Sequence, residues 1–502
     1  MASTPPFDDE KDISKLEGGA VLAHTVTYGS QSPHGDGAVT VEDLQRTKRI
    51  MRKIDFRLLP ICSILYLFSF LDRTAIGNAK IAGMVADLKL DTTQYFMCLA
   101  LFFITYGLFE VPSNLMLKHY GAKTWLPIIV FFWGVTMMCT GFVTNFAGLL
   151  SMRLVLGIFE AGLFPGVTAL LSFIYPRRFI QLRIGIFFSA ATIAGAFGGL
   201  LAYGLAHVET GGYAGWSWIF IVEGILTIAV AFLGYFMLIS NIDGAHFLSE
   251  DEKTYMRERV IYDGTDIPMN DAFQRRFVIA GLTDWKTWAS LVSYIGSLAP
   301  LYSIALTLPT ILKTFGYDAI RSQLMTVPVY VVAAVCVLIF AYLSDRFQNR
   351  TFFLCLGTAI SAIGWGFGHA TYNPSVRYAG CFVAAAGSYA GFPSVVALVS
   401  QNVGGKTKKA TAIAIQVGVG GLAGMISSGI FPAAEAPHFD NAYKINIALN
   451  CVAFGAALVN FSCLYLANKR KQAKIDSGEA ARLTKQECAD LGDCSPYFKY
   501  RY

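Results

Sequence analysis

The stretch MRLVLGIFEAGLFPG, residues 152–166, places two ionisable side chains, Arg153 and Glu160, inside an otherwise apolar run that extends over residues 146–173. A helix rises 1.5 Å per residue, so about 20 such residues cross the roughly 30 Å hydrocarbon core of a bilayer. Seven helical positions turn through about 700°, which sets Arg153 and Glu160 on one face about 10 Å apart, with Gly157 leaving a notch between them. A charge at bilayer depth costs several kcal/mol and is kept mainly where it meets a partner or a polar cavity. These two residues therefore mark the interior of a membrane-spanning bundle.

Working outward, eleven further apolar runs of similar length recur, at 56–77, 94–116, 124–144, 184–206, 217–239, 288–312, 323–344, 352–370, 377–400, 409–431 and 443–467. The 502-residue chain is 54% hydrophobic and 15% charged, with a mean hydropathy of +0.49. That is more apolar surface than one soluble core hides. An all-α polytopic membrane protein with twelve transmembrane helices follows.

The net charge is +6, and its distribution orients the chain. Arg46, Lys48, Arg49, Arg52 and Lys53 precede the first span, and Lys469, Arg470, Lys471 and Lys474 follow the last. The even-numbered connections add Lys118, Lys123, Arg177, Arg178, Arg346 and Arg350, among others, whereas the odd ones hold few basic residues. By the positive-inside rule both ends are cytoplasmic. Residues 1–48 are polar, without an apolar run, and read as a disordered cytoplasmic tail and not as a cleaved signal.

The longest internal polar stretch, residues 241–286, divides the spans into two six-helix halves, 49–240 and 287–467, followed by a cytoplasmic tail at 468–502. Within it LSEDEKTYMRERV orders serine, acids and then bases as a capped helix prefers, which predicts a short surface helix tethering the halves. After span 8, AYLSDRFQNR carries Asp345 and Arg346; after span 2, NLMLKHYGAK has Lys118 where the other loop has its aspartate. Short basic loops of this kind latch neighbouring helix ends and hold one side shut.

FLDRTAIGNAK, YGLFEVPSNLMLK, RLVLGIFEAGLFPG, IFFSAATIAGAFGGLLA, GWSWIFIVEGILT and the ending LGDCSPYFKYRY together resemble the fungal anion:cation symporter family of the major facilitator superfamily. Nicotinic acid permeases are the nearest branch, with allantoate and pantothenate permeases more distant. The resemblance spans about residues 48–502 and implies two pseudo-symmetric halves and proton-coupled uptake of a small organic anion. The DRTAIG segment is also similar to animal vesicular glutamate and sialic acid carriers, whose first span has a substrate-linked arginine placed like Arg73.

Candidate roles follow. Arg153 offers a planar fork to a substrate carboxylate, and Glu160 a site for the coupled proton, with a purely structural ion network as the competing reading. Asp72 and Arg73 point about 100° apart; Arg73 is expected to face the cavity as a second substrate cation, and Asp72 to pair with a neighbouring helix or carry the proton instead. Glu110 reads as a latch with the basic loop ends, alongside Lys118, Asp345 and Arg346, and Glu223 as a residue near the interface beside Trp216 and Trp218. The second half lacks mid-span charges and offers Tyr302 and Asn402, with Tyr294, Tyr330, Trp365, Tyr389, Gln401 and Gln416, to an uncharged substrate body. Against the family pattern, Ala75, Leu398, Val419, Gly421 and Ala423 replace bulkier or more polar residues, which predicts a roomier pocket and a bulkier or more apolar acid than nicotinate. Ala196 stands where drug:proton antiporters usually have proline, which favours symport.

No enzyme constellation is present: the seven histidines lie in tails, loops or span ends, and no metal spacing or nucleophile elbow occurs. The ten cysteines form no CxxC pair and read as packing residues. No metal, no cofactor beyond the proton gradient and no nucleic acid partner are expected; the partners are a small organic anion, protons and lipid. A monomer in the plasma membrane is the expected form. The alternatives are an exporter of a metabolite by proton antiport and a transport-inactive sensor.

Overall fold

The computed structural model describes residues 41–502 apart from 207, 209–211, 262–274, 317–318, 433–434 and 437. Twelve helices in it are long and apolar enough to cross a membrane. They are α1 (Glu42–Ile81), α2 (Thr92–Tyr120), α3 (Ala122–Thr140), α4 (Phe146–Ile174), α5 (Arg177–Leu201), α6 (Gly215–Met237), α7 (Trp285–Thr314), α8 (Thr326–Phe347), α9 (Arg350–Ala370), α10 (Pro374–Asn402), α11 (Thr407–Ile430) and α12 (Asp440–Asp476). In lipid every backbone polar group needs an internal partner, and the helix supplies it. Side chains start several of them: Asp91 and Gln94 form a capping box on α2, Asn145 accepts from Gly148 N at 2.8 Å on α4, and Asn349 accepts from Phe352 N at 3.1 Å on α9.

Helices α1–α6 pack as one half and α7–α12 as the other, and the halves meet where α2 lies against α11 and α5 against α8. Glycine permits the closest approaches. A Cβ on Gly107 would stand 2.7 Å from the carbonyl of Gly418, and one on Gly185 would stand 2.4 Å from the Ala341 methyl. Large apolar side chains such as Leu108, Phe236, Val335 and Val459 remain exposed on the outside of the bundle, as lipid-facing groups do.

Of the expected disordered tail, residues 1–40 lie outside the described residues, while 41–48 are helical and continue α1. Within 241–286, the capped segment forms a helix, Glu250–Ile261, whose Ser249 and Glu252 bond reciprocally. It packs on the start of α1: Tyr255 donates to the Asp43 carbonyl at 2.7 Å and Lys53 pairs with Glu252 at 2.6 Å. This ties the connection to the first half; residues 262–274, leading to the second, lie outside the described residues.

Both described chain ends lie on one face, hereafter the end face, and this face is closed. Lys118 of α2 donates to Thr407 of α11, Gln181 of α5 donates to Ser394 of α10 at 2.6 Å, and Leu182 N of α5 donates to Asp345 of α8 at 2.9 Å. Asp345 takes its cation from Arg350 at 2.7 Å, and Arg346 lies exposed beside it.

The last ten residues complete the seal. Asp493 is enclosed with Lys286, Lys408 and Asp284 in a ring of alternating charge, with Lys408–Asp284 at 2.7 Å and Lys408–Asp493 at 2.8 Å. Burial alone would raise the Asp493 carboxyl, but Lys286 and then Lys408 outweigh it and hold it below the usual carboxylate range. Beyond it Phe498 and Tyr500 pack inward, and the Tyr502 carbonyl accepts from Arg350 N.

Candidate functional site

The interior charges gather on the first half. Arg73 of α1 donates through Nε to Glu160 of α4 at 3.1 Å, pairs with the same oxygen through Nη2, and donates through Nη1 to the Tyr302 hydroxyl of α7. Ser69, one turn earlier on α1, donates to that glutamate oxygen at 2.9 Å. Arg73 and Glu160 are both buried, and the Arg73–Tyr302 bond joins the two halves. Helix α4 loses its regular bonding at Ala161–Gly162, directly after Glu160, where a Cβ on Gly162 would collide with Ser113 at 1.9 Å.

Arg153 is also buried, stacks over Phe220 at 5.7 Å, and finds no hydrogen-bond acceptor for Nε or Nη2 among the described residues. The shared face of Arg153 and Glu160 is thus real but serves different partners, because Glu160 turns to α1. The notch at Gly157 is not open either: α2 fills it, and a Cβ there would stand 2.2 Å from Thr105 Oγ1 and 2.6 Å from the Phe102 carbonyl. A small cleft bordered by Arg73, Arg153, Cys98, Phe102 and Leu306 brings the two guanidinium groups within one lining.

Asp72 turns the other way, toward α6, where Thr227 donates to it at 2.9 Å. Glu223 sits one turn before Thr227 and faces Asp72; it is fully buried, which corrects the expectation of an interfacial residue. Among the described residues no hydrogen-bond donor meets either Glu223 oxygen or Oδ1 of Asp72 at bonding geometry. Acceptors oppose acceptors there, an arrangement that two ionised carboxylates do not hold. Away from the end face, where Arg183 pairs with Asp55 and Arg177 lies over the Phe498 ring, the described residues of the first half bury two guanidinium groups, Arg73 and Arg153, and four carboxyls, Asp72, Glu110, Glu160 and Glu223.

Arg73 forms the polar corner of a central chamber between the halves. Tyr66, Phe70, Tyr106, Phe164, Phe188, Tyr294, Tyr302 and Phe392 line the rest, with Gly421. Arg73 lies over the Tyr106 ring at 5.1 Å and the Tyr302 ring at 5.7 Å. In this conformation the chamber is contracted to about 10 Å³, room for about one water. Above it a vestibule of about 100 Å³ opens among Lys80, Tyr95, Thr310 and Tyr330, near the helix ends opposite the end face.

Other expected site residues lie elsewhere. Asn402 is at the end face, where its side chain bonds both the N–H and the carbonyl of Arg501 at 2.8 Å; the structure does not bring it to the chamber. Glu110 is not a latch with basic loop ends: it is wholly buried at the α2–α11 seam, without a donor on either oxygen. Lys118 does bridge the halves, through Thr407. Of the substitutions expected to enlarge the pocket, Gly421 lines the chamber, whereas Val419 faces outward and the aromatic rings leave the chamber narrow. Tyr294 and Tyr302, expected to serve the cavity, do line the chamber; its first-half rings and the Asp72–Glu223 contact escaped the sequence reading, although GWSWIFIVEGILT already held Glu223 among apolar neighbours.

The profile of the Major Facilitator Superfamily matches residues 62–428. The chain belongs to the major facilitator superfamily. An MFS-type transporter of Penicillium expansum, cnsO, is 36% identical over 471 residues, covering 90% of each chain. The high-affinity nicotinic acid transporter of Saccharomyces cerevisiae is 33% identical over 465 residues, covering 91% of this chain and 85% of its own. Among solved structures, the proton:xylose symporter XylE bound to a bromo-deoxyglucose matches with a TM-score of 0.66 at 16% identity, over 81% of this chain and 95% of XylE, a likeness of fold. This member of the superfamily is a multi-pass membrane transporter and not an enzyme.

Proposed function

We propose that this transporter takes up a small organic anion, a carboxylate with an aromatic or similarly flat apolar body, together with protons, by alternating access. The observation that carries this reading is the occupation of Arg73 by Glu160 at the corner of a chamber walled by aromatic rings. A planar guanidinium suits a carboxylate, and Arg73 already spends that fork on one. Protonating Glu160 from the vestibule weakens its hold and releases Arg73 Nε and Nη2 for the substrate carboxylate. Cargo and proton then bind together, because neither arrangement of Arg73 satisfies both carboxylates at once. Arg153, with two unpaired nitrogens beside the same cleft, supplies a second attraction for the anion.

The rings offer stacking and apolar contact to the body of the substrate. The similarity to a yeast nicotinic acid transporter agrees with such a cargo. The basic residues at both ends and in the even connections support a cytoplasmic end face, so that the vestibule faces outward, and a plasma-membrane monomer is the simplest form of such an importer.

The test is uptake by purified protein in proteoliposomes with an inside-alkaline pH gradient, using labelled nicotinate, benzoate, larger aromatic acids, pantothenate and allantoate. Accumulation of an aromatic carboxylate that collapses with a protonophore is the expected result, with larger aromatic acids competing at least as well as nicotinate. Accumulation of none of them, or uptake indifferent to the gradient, overturns the reading.

A further inference from the structure

Glu110 is used by none of the steps above. It lies on α2, wholly buried, with no donor to either carboxyl oxygen among the described residues; besides its helix bonds, its backbone carbonyl accepts from Asn114 Nδ2 at 3.0 Å. It sits where α2 of the first half crosses α11 of the second at contact distance. A Cβ on Gly418 would lie 3.1 Å from the Gly107 carbonyl and 3.4 Å from Glu110 Oε2. Opposite it α11 places Gly418, whose sequence neighbours Gln416, Val417 and Val419 are not titratable.

The titratable and charged groups facing Glu110 come from elsewhere. They are Arg73 from α1, Tyr106 from its own helix, and Tyr294 and Tyr302 from α7. Arg73 is already held by Glu160 of α4, and Lys118, two turns further along α2, is held by Thr407. Glu110 therefore has no ion partner within the seam, and an enclosure of this kind admits the neutral acid far more cheaply than the carboxylate.

Its position makes the burial conditional. While the halves touch along α2 and α11, the groups that interact electrostatically with Glu110, namely Arg73, Tyr106, Tyr294 and Tyr302, are ones that line the chamber. When α2 and α11 separate at the end face, the same carboxyl meets water and ionises.

We propose that Glu110 is a proton site of the seam between the halves, loaded from the chamber while α2 and α11 are in contact and discharged at the end face when they part. This rests on the alternating-access reading above and adds to it a residue through which protonation sets the seam. Its sign is fixed: acid favours the closed seam, and alkali favours the open one.

The test is hydrogen–deuterium exchange of residues 107–118 and 407–420 in lipid nanodiscs at pH 5.5 and pH 8, corrected for the chemical exchange rate. In the parent, exchange in both segments is expected to be at least tenfold faster at pH 8. Glu110→Gln, which keeps the size and removes the titration, is expected to be protected equally at both values. In proteoliposomes the same variant is expected to keep counterflow of a transported carboxylate and to lose uphill accumulation tenfold or more. Exchange in Glu110→Gln that follows the parent's pH dependence overturns the proposal, as does pH-independent exchange in the parent, which decides the matter even if the variant does not fold. Because exchange needs no substrate, its outcome is separable from uptake: a parent that accumulates no carboxylate removes the function proposed above and leaves the Glu110 result standing or falling by itself.

Discussion

Replacing Arg73 by alanine is expected to lower carboxylate uptake by at least about a hundredfold. Truncating one member of a buried, hydrogen-bonded charge pair costs about 3 kcal/mol, and each 1.4 kcal/mol is a factor of ten. The loss has two parts: the substrate loses its fork, and Glu160 is left buried without its cation. Arg73→Lys separates them, since lysine keeps the charge but cannot present two parallel donors. It is expected to restore thermal stability and little of the uptake. The double change Arg73→Ala with Glu160→Gln removes the stranded charge and should fold well while remaining inactive, measured as melting temperature beside initial uptake rate. Full uptake in Arg73→Lys would show that only a positive charge is required there.

The second large effect belongs to stability. Asp493→Asn leaves Lys286 and Lys408 sharing Asp284 alone in a buried ring that now holds two cations and one anion. Breaking such a network costs about 3 kcal/mol, and the expected reading is a fall of several degrees in the apparent melting temperature of the detergent-solubilised protein. The sign with pH follows from the depressed Asp493 carboxyl. Its contribution is complete above the ordinary aspartate range of about 4 and is lost as pH falls through its lower folded value. The gap between parent and variant is thus full at pH 7 and narrows in acid. An unchanged melting temperature would mean that the chain end contributes nothing to closing the end face.

The twelve spans were legible because lipid leaves helices of about 20 apolar residues as the simple solution, and length and composition suffice to find them. Arg153 and Glu160 were legible as interior charges for the same reason. Their partners were not. Glu160 bonds a residue 87 positions earlier, and periodicity along one helix carries no information about which helix lies opposite. Asn402 read as a cavity amide because the second half offers few other polar groups, but α10 carries it past the chamber to the end face, where the Arg501 backbone takes both of its hydrogen-bonding atoms. Glu110 looked like a latch from its place toward the cytoplasmic end of span 2, yet it lies about two helical turns short of Lys118, inside the seam. The chain end did carry a signal: Phe498, Tyr500 and Tyr502 alternate with Lys499 and Arg501, the pattern of an extended segment with one face covered.

The narrow chamber has a similar lesson. Small residues at 75, 421 and 423 suggested space, but the volume is set by rings contributed from both halves. Space in the chamber is not a sum over the side-chain sizes at those three positions.

The measurement that bears most directly on the account is equilibrium binding of a transported aromatic carboxylate to the purified protein across pH 5 to 8, in the parent and in Glu160→Gln. If substrate and Glu160 compete for Arg73 so that a proton must bind with the cargo, affinity in the parent falls as pH rises, by up to about tenfold per unit for one proton, while the variant binds tightly and nearly independently of pH. A parent and a variant whose affinities decline in parallel would contradict it, because the proton would then act somewhere other than on the carboxyl that holds Arg73.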